Sequence, residues 1–261
     1  MSLSVVRTRE WAFPIPRATR EVIRATPELD SGKPTVLFVP GFGHAAWVFG
    51  QHWLEHTAER GFPAYAMSLR GHGGSSAAPK ATIRAYAHDV AQVAASLPRQ
   101  AVVVGHGAGA LAAAHALARY PAKAGVLIAP VFGGLGTALR NPMLCLPALF
   151  GGRIRLPAGQ LFSRELPSSA ARTYAKRLGR ASAKAQWGLL RGRHPESPVG
   201  DPPVLVVGSP DDKIVSDSAV RKVARRYGSA PLLFPGMGHD LMLDARWREP
   251  IDAILDWLDK S

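Results

Sequence analysis

The chain has 261 residues, of which 47% are hydrophobic and 20% are charged. This composition is ordinary for a globular protein, and the length suits one α/β domain with an insertion better than two full domains. The single cysteine, Cys145, excludes an intramolecular disulfide. No apolar run approaches the roughly 20 residues that span a bilayer, and the first residues lack a secretory signal, so we expect a cytoplasmic protein without a membrane span.

The formal charge of +13 is concentrated in one part of the chain. Residues 131–200 hold eleven Arg and Lys against two Glu, which places +9 in this segment. A field of one sign can attract an anionic substrate or an acidic partner, although a well-solvated basic surface is an equally good interpretation. No zinc-ligand spacing, aromatic RNA-binding motif or helix-turn-helix pattern accompanies the charge, so the sequence does not predict nucleic-acid binding.

Along the chain, short apolar runs that predict strands alternate with helical periodicity, which is typical of a mostly parallel sheet with helices on both faces. The predicted strands are 35–39, 64–69, 101–104, 125–129, 204–207 and 231–234. The predicted helices are 47–60, 82–97 with Thr82 as N-cap, 108–119, 168–178, 181–190, 218–227 and 247–258. We therefore predict an α/β core formed by residues 1–130 and 201–261, with residues 131–200 as an inserted helical cap.

A glycine-rich turn joins the predicted strand 101–104 to the predicted helix 108–119. Residues 105–109 read Gly-His-Gly-Ala-Gly, which has the glycine spacing of a G-x-S-x-G nucleophile elbow. Four further motifs follow the same order and spacing as in one known family: Pro-Gly-Phe-Gly at 40–43, Leu-Arg-Gly-His-Gly-Gly-Ser at 69–75, Asp-Lys-Ile-Val at 212–215 and Pro-Gly-Met-Gly-His at 235–239. With all five, the sequence resembles the α/β-hydrolase family over nearly its whole length.

The resemblance implies an α/β-hydrolase fold and a set of site residues. The acid that orients the catalytic base would be Asp212, with Asp211 as the alternative, and the base would be His239. The oxyanion hole would use the backbone N–H groups of Phe42 and Ala108, where the positive end of a helix adds to the field. The family usually has His-Gly where this chain has Pro-Gly at 40–41, a small change because the donors there are backbone groups.

The nucleophile position departs from the family, because Gly107 stands where the serine is expected. Three hypotheses follow. The protein is a small-molecule enzyme of non-hydrolytic general-base chemistry, such as elimination or cyclisation, on an acyl or carbonyl substrate. Alternatively, it is a serine esterase or thioesterase inactivated by Ser-to-Gly at this position, or a ligand-binding pseudoenzyme. We favour the first because the rest of the constellation is intact.

The sequence also suggests what the site would contact. The predicted substrate contacts are Phe42, His106, Leu144, Phe150 and Trp187. The basic cap predicts a substrate that is anionic or bound to an anionic carrier. No metal or organic cofactor is predicted, because the glycine-rich loop at 70–76 lacks the Gly-Lys-Ser/Thr ending of a phosphate-binding loop and no ligand spacing is evident. The sequence does not indicate an oligomeric state.

Overall fold

The computed structural model describes residues 15–133, 157–191 and 194–261. Seven strands form one sheet in the order β1-β3-β2-β4-β5-β6-β7, in which β1 runs antiparallel to β3 and the other neighbours are parallel. The strands are β1 (Val22–Ala25), β2 (Thr35–Val39), β3 (Ala64–Met67), β4 (Ala101–His106), β5 (Ala124–Ile128), β6 (Val204–Gly208) and β7 (Leu232–Leu233). The predicted mostly parallel sheet is confirmed.

Helices cover both faces of this sheet, as the sequence predicts. They are α1 (Trp47–Gly50), α2 (Trp53–Glu59), α3 (Ile83–Ser96), α4 (Ala108–Leu117), α5 (Ala158–Leu161), α6 (Ser168–Arg177), α7 (Ala183–Leu190), α8 (Asp217–Arg226) and α9 (Arg248–Leu258), with a 3₁₀ turn at Leu241–Leu243. The predicted helix 47–60 is instead two helices, and strand β1 was not predicted. Thr82 caps α3, because its hydroxyl accepts a hydrogen bond from Ala85 N.

The central strands are continuous apolar runs because both faces of the sheet are covered. Every residue of β2, β4, β5 and β6 is buried. Helix α4 is rich in alanine, and this lets it lie very close to β4: a Cβ at Gly105 would come within 2.7 Å of Ala113 Cβ. This close packing fixes the start of α4 directly at the carboxyl end of β4, where the elbow motif lies.

Residues 157–191, which lie within the predicted insertion, contact the loops at the carboxyl ends of the strands. Gly179 N donates to Gly43 O at 2.7 Å in the loop after β2, and Leu161 O accepts from Asp240 N at 3.0 Å after β7. The guanidinium of Arg177 lies 3.8 Å from the ring centroid of Trp47. These contacts bring the insertion to the end of the sheet that carries the elbow. Among the described helices, none is long and apolar enough to cross a membrane.

Candidate active site

Gly107 forms the turn between β4 and α4 and holds φ +56° and ψ −125°. This backbone conformation is strained for any residue with a Cβ, so glycine adopts it at the lowest cost. The turn is anchored on both sides, since Gly107 N donates to Ile128 O at 2.9 Å and Gly107 O accepts from Val131 N at 3.0 Å. The first turn of α4 packs so tightly that a Cβ at Gly109 would overlap Pro40 O. The conformation is that of a sharp strand-to-helix elbow, with glycine at its apex.

His239 lies in the loop after β7 and pairs with an aspartate from the loop after β6. Its Nδ1 is 2.8 Å from Asp212 Oδ2, and both side chains are buried. The other oxygen of Asp212 accepts from the backbone N–H groups of Ile214 at 2.7 Å and Val215 at 3.0 Å, which fixes the carboxylate. Asp211 instead accepts from Gly236 N and is exposed. Asp212 is therefore the aspartate that orients the imidazole.

The free nitrogen of His239 faces the elbow. Because the carboxylate of Asp212 can only accept, Nδ1 carries the proton of the neutral ring and Nε2 keeps its lone pair. A Cβ built on Gly107 would lie 3.1 Å from His239 Nε2. His239 Nε2, the atom that would receive a proton, therefore lies beside Gly107. A serine at this position would place its side chain next to the same nitrogen.

The environment of His239 makes its imidazole a stronger base. Burial alone would lower its pKa, but the charge and hydrogen bond of Asp212, together with the charge of Asp240, outweigh burial and raise the pKa above its ordinary value of 6.5. Asp212 and Asp240 therefore increase the proton affinity of the imidazole, which favours its acceptance of a proton as a general base.

The two expected oxyanion donors, Phe42 N and Ala108 N, lie next to Gly107. Ala108 is the first residue of α4, and Gly41 Cα would lie 3.8 Å from a Cβ at Gly107. Within residues 15–133, 157–191 and 194–261, neither N–H donates a hydrogen bond to another group. Ala108 N–H at the start of α4 and Phe42 N–H in the loop after β2 are backbone donors of the kind that can bind a developing oxyanion.

The residues predicted to contact substrate lie in different parts of the structure. Phe42 is half-buried beside the elbow, with its ring edge-on to Tyr86 at 5.5 Å. His106 is completely buried, and its Nε2 lies 3.1 Å from His239 O, so its ring packs against the His239 loop and is not exposed. Leu144 and Phe150 lie outside the described residues.

Trp187 is 39% exposed and lines a groove of about 1060 Å³ between α3, α4 and α7. The groove is basic and contains none of Gly107, Asp212 and His239. Its described lining is Thr82, Ile83, Arg84, Leu111, His115, Arg119, Lys184, Trp187, Gly188, Arg191 and Glu196.

Sequence reasoning missed one cluster behind the site. His44, His106 and Asp240 are all buried, and their ligand-type atoms lie within 4.8 Å of one another. Such a trio can hold a metal, but here its atoms hydrogen-bond to one another and to the backbone. In the sequence, this cluster is indicated only by Asp240, the carboxylate that directly follows His239.

Comparison with known families supports the assignment of the fold. Residues 36–255 match the model of the alpha/beta hydrolase family. The chain belongs to this family. Comparison with curated proteins gives no significant match.

Solved structures of the alpha/beta hydrolase fold align with nearly the whole chain. A monoacylglycerol lipase from Paleococcus ferrophilus aligns with a TM-score of 0.70 at 19% identity, covering 93% of this chain and 98% of the lipase. A soluble variant of monoglyceride lipase from Saccharomyces cerevisiae gives 0.74 at 16% identity, covering 93% of this chain and 92% of that one. A thermophilic esterase from Thermogutta terrifontis gives 0.67 at 20% identity, covering 92% and 98%. At these identities the similarity shows the fold alone.

Proposed function

We propose that this alpha/beta hydrolase family member is a small-molecule enzyme in which His239, oriented by Asp212, acts as a general base without a covalent nucleophile. The observation that carries the proposal is the placement of His239 Nε2 at 3.1 Å from the Cβ position of Gly107. The free nitrogen of the base therefore faces Gly107, which has no hydroxyl to donate to it. In a serine hydrolase the histidine accepts the proton of the serine hydroxyl. Here we propose that His239 accepts a proton from the substrate.

The proposed reaction begins with a substrate whose C–H bond lies next to an acyl or ketone carbonyl. His239 Nε2 accepts the proton of that carbon, and the electron pair of the C–H bond moves into the carbonyl to form an enolate. Phe42 N–H and Ala108 N–H donate to the enolate oxygen, while Asp212 holds the resulting imidazolium. The imidazolium then returns the proton, either to carbon or to a leaving group that departs in an elimination.

The acyl class of substrate is supported by the similar structures, which are lipases and esterases. An anionic or carrier-bound substrate is supported by the groove beside Trp187, which is lined by Arg84, Arg119, Lys184 and Arg191 against Glu196. We propose that this groove holds the anionic part of the substrate, away from the dyad.

Phenylacetyl thioesters test the proposal, because one probe reports two reactions. In D₂O, exchange of the methylene protons for deuterium measures proton abstraction by ¹H NMR, and a thiol reagent measures thioester hydrolysis. We expect exchange above background with the protein, loss of exchange in His239→Ala, and unchanged exchange in the control His56→Gln. His56 is a suitable control because it also pairs with an aspartate, Asp252 at 2.7 Å, but on the remote face formed by α2 and α9.

Two other outcomes would contradict the proposal. Thiol release that depends on His239, without exchange, would indicate that the base activates water in place of the missing serine. No reaction of either kind, with the thioester still bound, would favour the pseudoenzyme.

A further inference from the structure

A second histidine–carboxylate pair lies directly behind the proposed site. His44 Nε2 is 2.9 Å from Asp240 Oδ2, and each side chain is at most 1% exposed. Asp240 follows His239 in the chain, while His44 lies two residues after Phe42. The pair therefore joins the loop of the base to the loop of an oxyanion donor.

Both ring nitrogens of His44 face hydrogen-bond acceptors. Nε2 faces the carboxylate of Asp240, and Nδ1 lies 3.1 Å from Phe42 O. A carbonyl oxygen and an ionised carboxylate can only accept, so both nitrogens must donate for the two bonds to form. Burial would raise the pKa of Asp240, but the charge and hydrogen bond of His44, with His106 and His239 nearby, lower it below 3.8.

His106 connects the same pair to the elbow. Its Nε2 lies 3.1 Å from His239 O and 3.5 Å from Asp240 Oδ1, and it directly precedes Gly107 in the chain. Burial lowers the pKa of His106 to about 3, with the charge of His239 acting in the same direction, so this ring is neutral and donates from Nε2. The three loops of the site meet at one buried hydrogen-bond network.

We propose that His44 and Asp240 are positioning residues for the reaction: His44 holds the carbonyl of Phe42, and Asp240 holds His44 while adding a second negative charge beside His239. The hydrogen bond to Phe42 O restricts rotation of the residue whose N–H binds the oxyanion. Since Asp240 is one of the groups that favour protonated His239, it also sets the strength of the base. This inference rests on the proposed function, because it concerns the same base and oxyanion donor.

The first test uses NMR and needs no turnover. We expect both ring nitrogens of His44 to show hydrogen-bonded N–H signals, identified by their loss in His44→Gln. In Asp240→Asn the pKa of His239 should fall, and in His56→Gln it should not change. Among the described residues, Asp212 and Asp240 raise the pKa of His239, and the ring centroid of His106 lies 4.8 Å from that of His239, so Asp212 must stay intact in these variants. Absence of either hydrogen-bonded N–H signal of His44, or an unchanged His239 pKa in Asp240→Asn, would overturn the proposal.

The second test measures the oxyanion donor and the base together. In a Gly107→Ser background, a fluorophosphonate probe reacts with the new serine at a rate that depends on both groups. We expect His44→Gln or Asp240→Asn to slow this labelling at least tenfold, while His56→Gln has no effect. Unchanged labelling in folded variants would overturn the positioning role. Absence of labelling in Gly107→Ser itself would count against the proposed function, and the NMR result would then decide the positioning role alone.

Discussion

The thermal stability of Gly107 variants tests whether the fold imposes the backbone conformation that residue 107 adopts. Gly107→Ala adds a single methyl group to a backbone at φ +56° and ψ −125°, and that methyl would lie 3.1 Å from His239 Nε2. A non-glycine residue in such a conformation costs about 1–3 kcal/mol. For a chain of this size, we therefore expect the melting temperature to fall by about 2–12 °C.

Two other glycines provide matched controls in the same assay, thermal unfolding at pH 7 followed by circular dichroism. Gly159 has nothing within 4 Å of its Cβ position and an ordinary φ, so Gly159→Ala should not destabilise the protein. Gly228 has equally open space but φ +67°, so Gly228→Ala measures backbone strain alone, about 1–2 kcal/mol. Gly107→Ala should be at least as destabilising as Gly228→Ala. A melting temperature for Gly107→Ala at or above that of the unaltered protein would refute the reasoning.

Three further predictions concern pH and charge. Asp212 raises the pKa of His239, so the stabilisation that this pair gives the folded state is complete below pH 6.5 and is lost as pH rises through the raised pKa. In urea unfolding, the loss of unfolding free energy caused by Asp212→Asn should therefore become smaller from pH 6 to pH 9. The pKa of His106 in the folded state is about 3, so as pH drops below 6.5 this histidine is protonated in the unfolded chain before it is protonated in the folded one, and the free energy of unfolding falls. In His106→Gln this fall should be smaller. A fall equal to that of the unaltered protein would contradict the prediction. The double variant Lys184→Glu/Arg191→Glu should raise KM for phenylacetyl-coenzyme A at low salt but not for the neutral phenylacetyl-N-acetylcysteamine. Equal effects on both substrates would show that the groove does not bind the anionic part of the substrate.

The sheet could be predicted because its central strands carry their own signal. Buried parallel strands are continuous apolar runs, and those at 35–39 and 204–207 need no tertiary information to be recognised. Strand β1, Val-Ile-Arg-Ala, was missed because it lies at the sheet edge, is half exposed and includes an arginine. The predicted helix 47–60 breaks near His52, which has φ −145°, and this places Phe49 and Trp53 on either side of the break in one aromatic cluster with Phe38. Helical periodicity alone does not show such a break.

The candidate site was predictable only where its residues lie in local motifs. Gly107, Asp212 and His239 each follow a predicted strand in a motif that resembles the α/β-hydrolase family, and this resemblance implies that they meet in one site. His44 and Asp240 are separated by 196 positions, and no spacing rule relates them. The prediction that His106 contacts substrate followed from its place beside the elbow, whereas the direction of its ring depends on packing against the His239 loop.

The partition between proton exchange and thiol release, compared in the unaltered protein and in Gly107→Ser with phenylacetyl-coenzyme A, tests the central claim most directly. The account predicts exchange without thiol release in the unaltered protein and the appearance of thiol release in Gly107→Ser, because the same base then activates a serine hydroxyl. Both reactions should disappear with His239→Ala. Turnover confined to Gly107→Ser, with no exchange by the unaltered protein, would contradict the account and identify the protein as a serine hydrolase that lacks only its nucleophile.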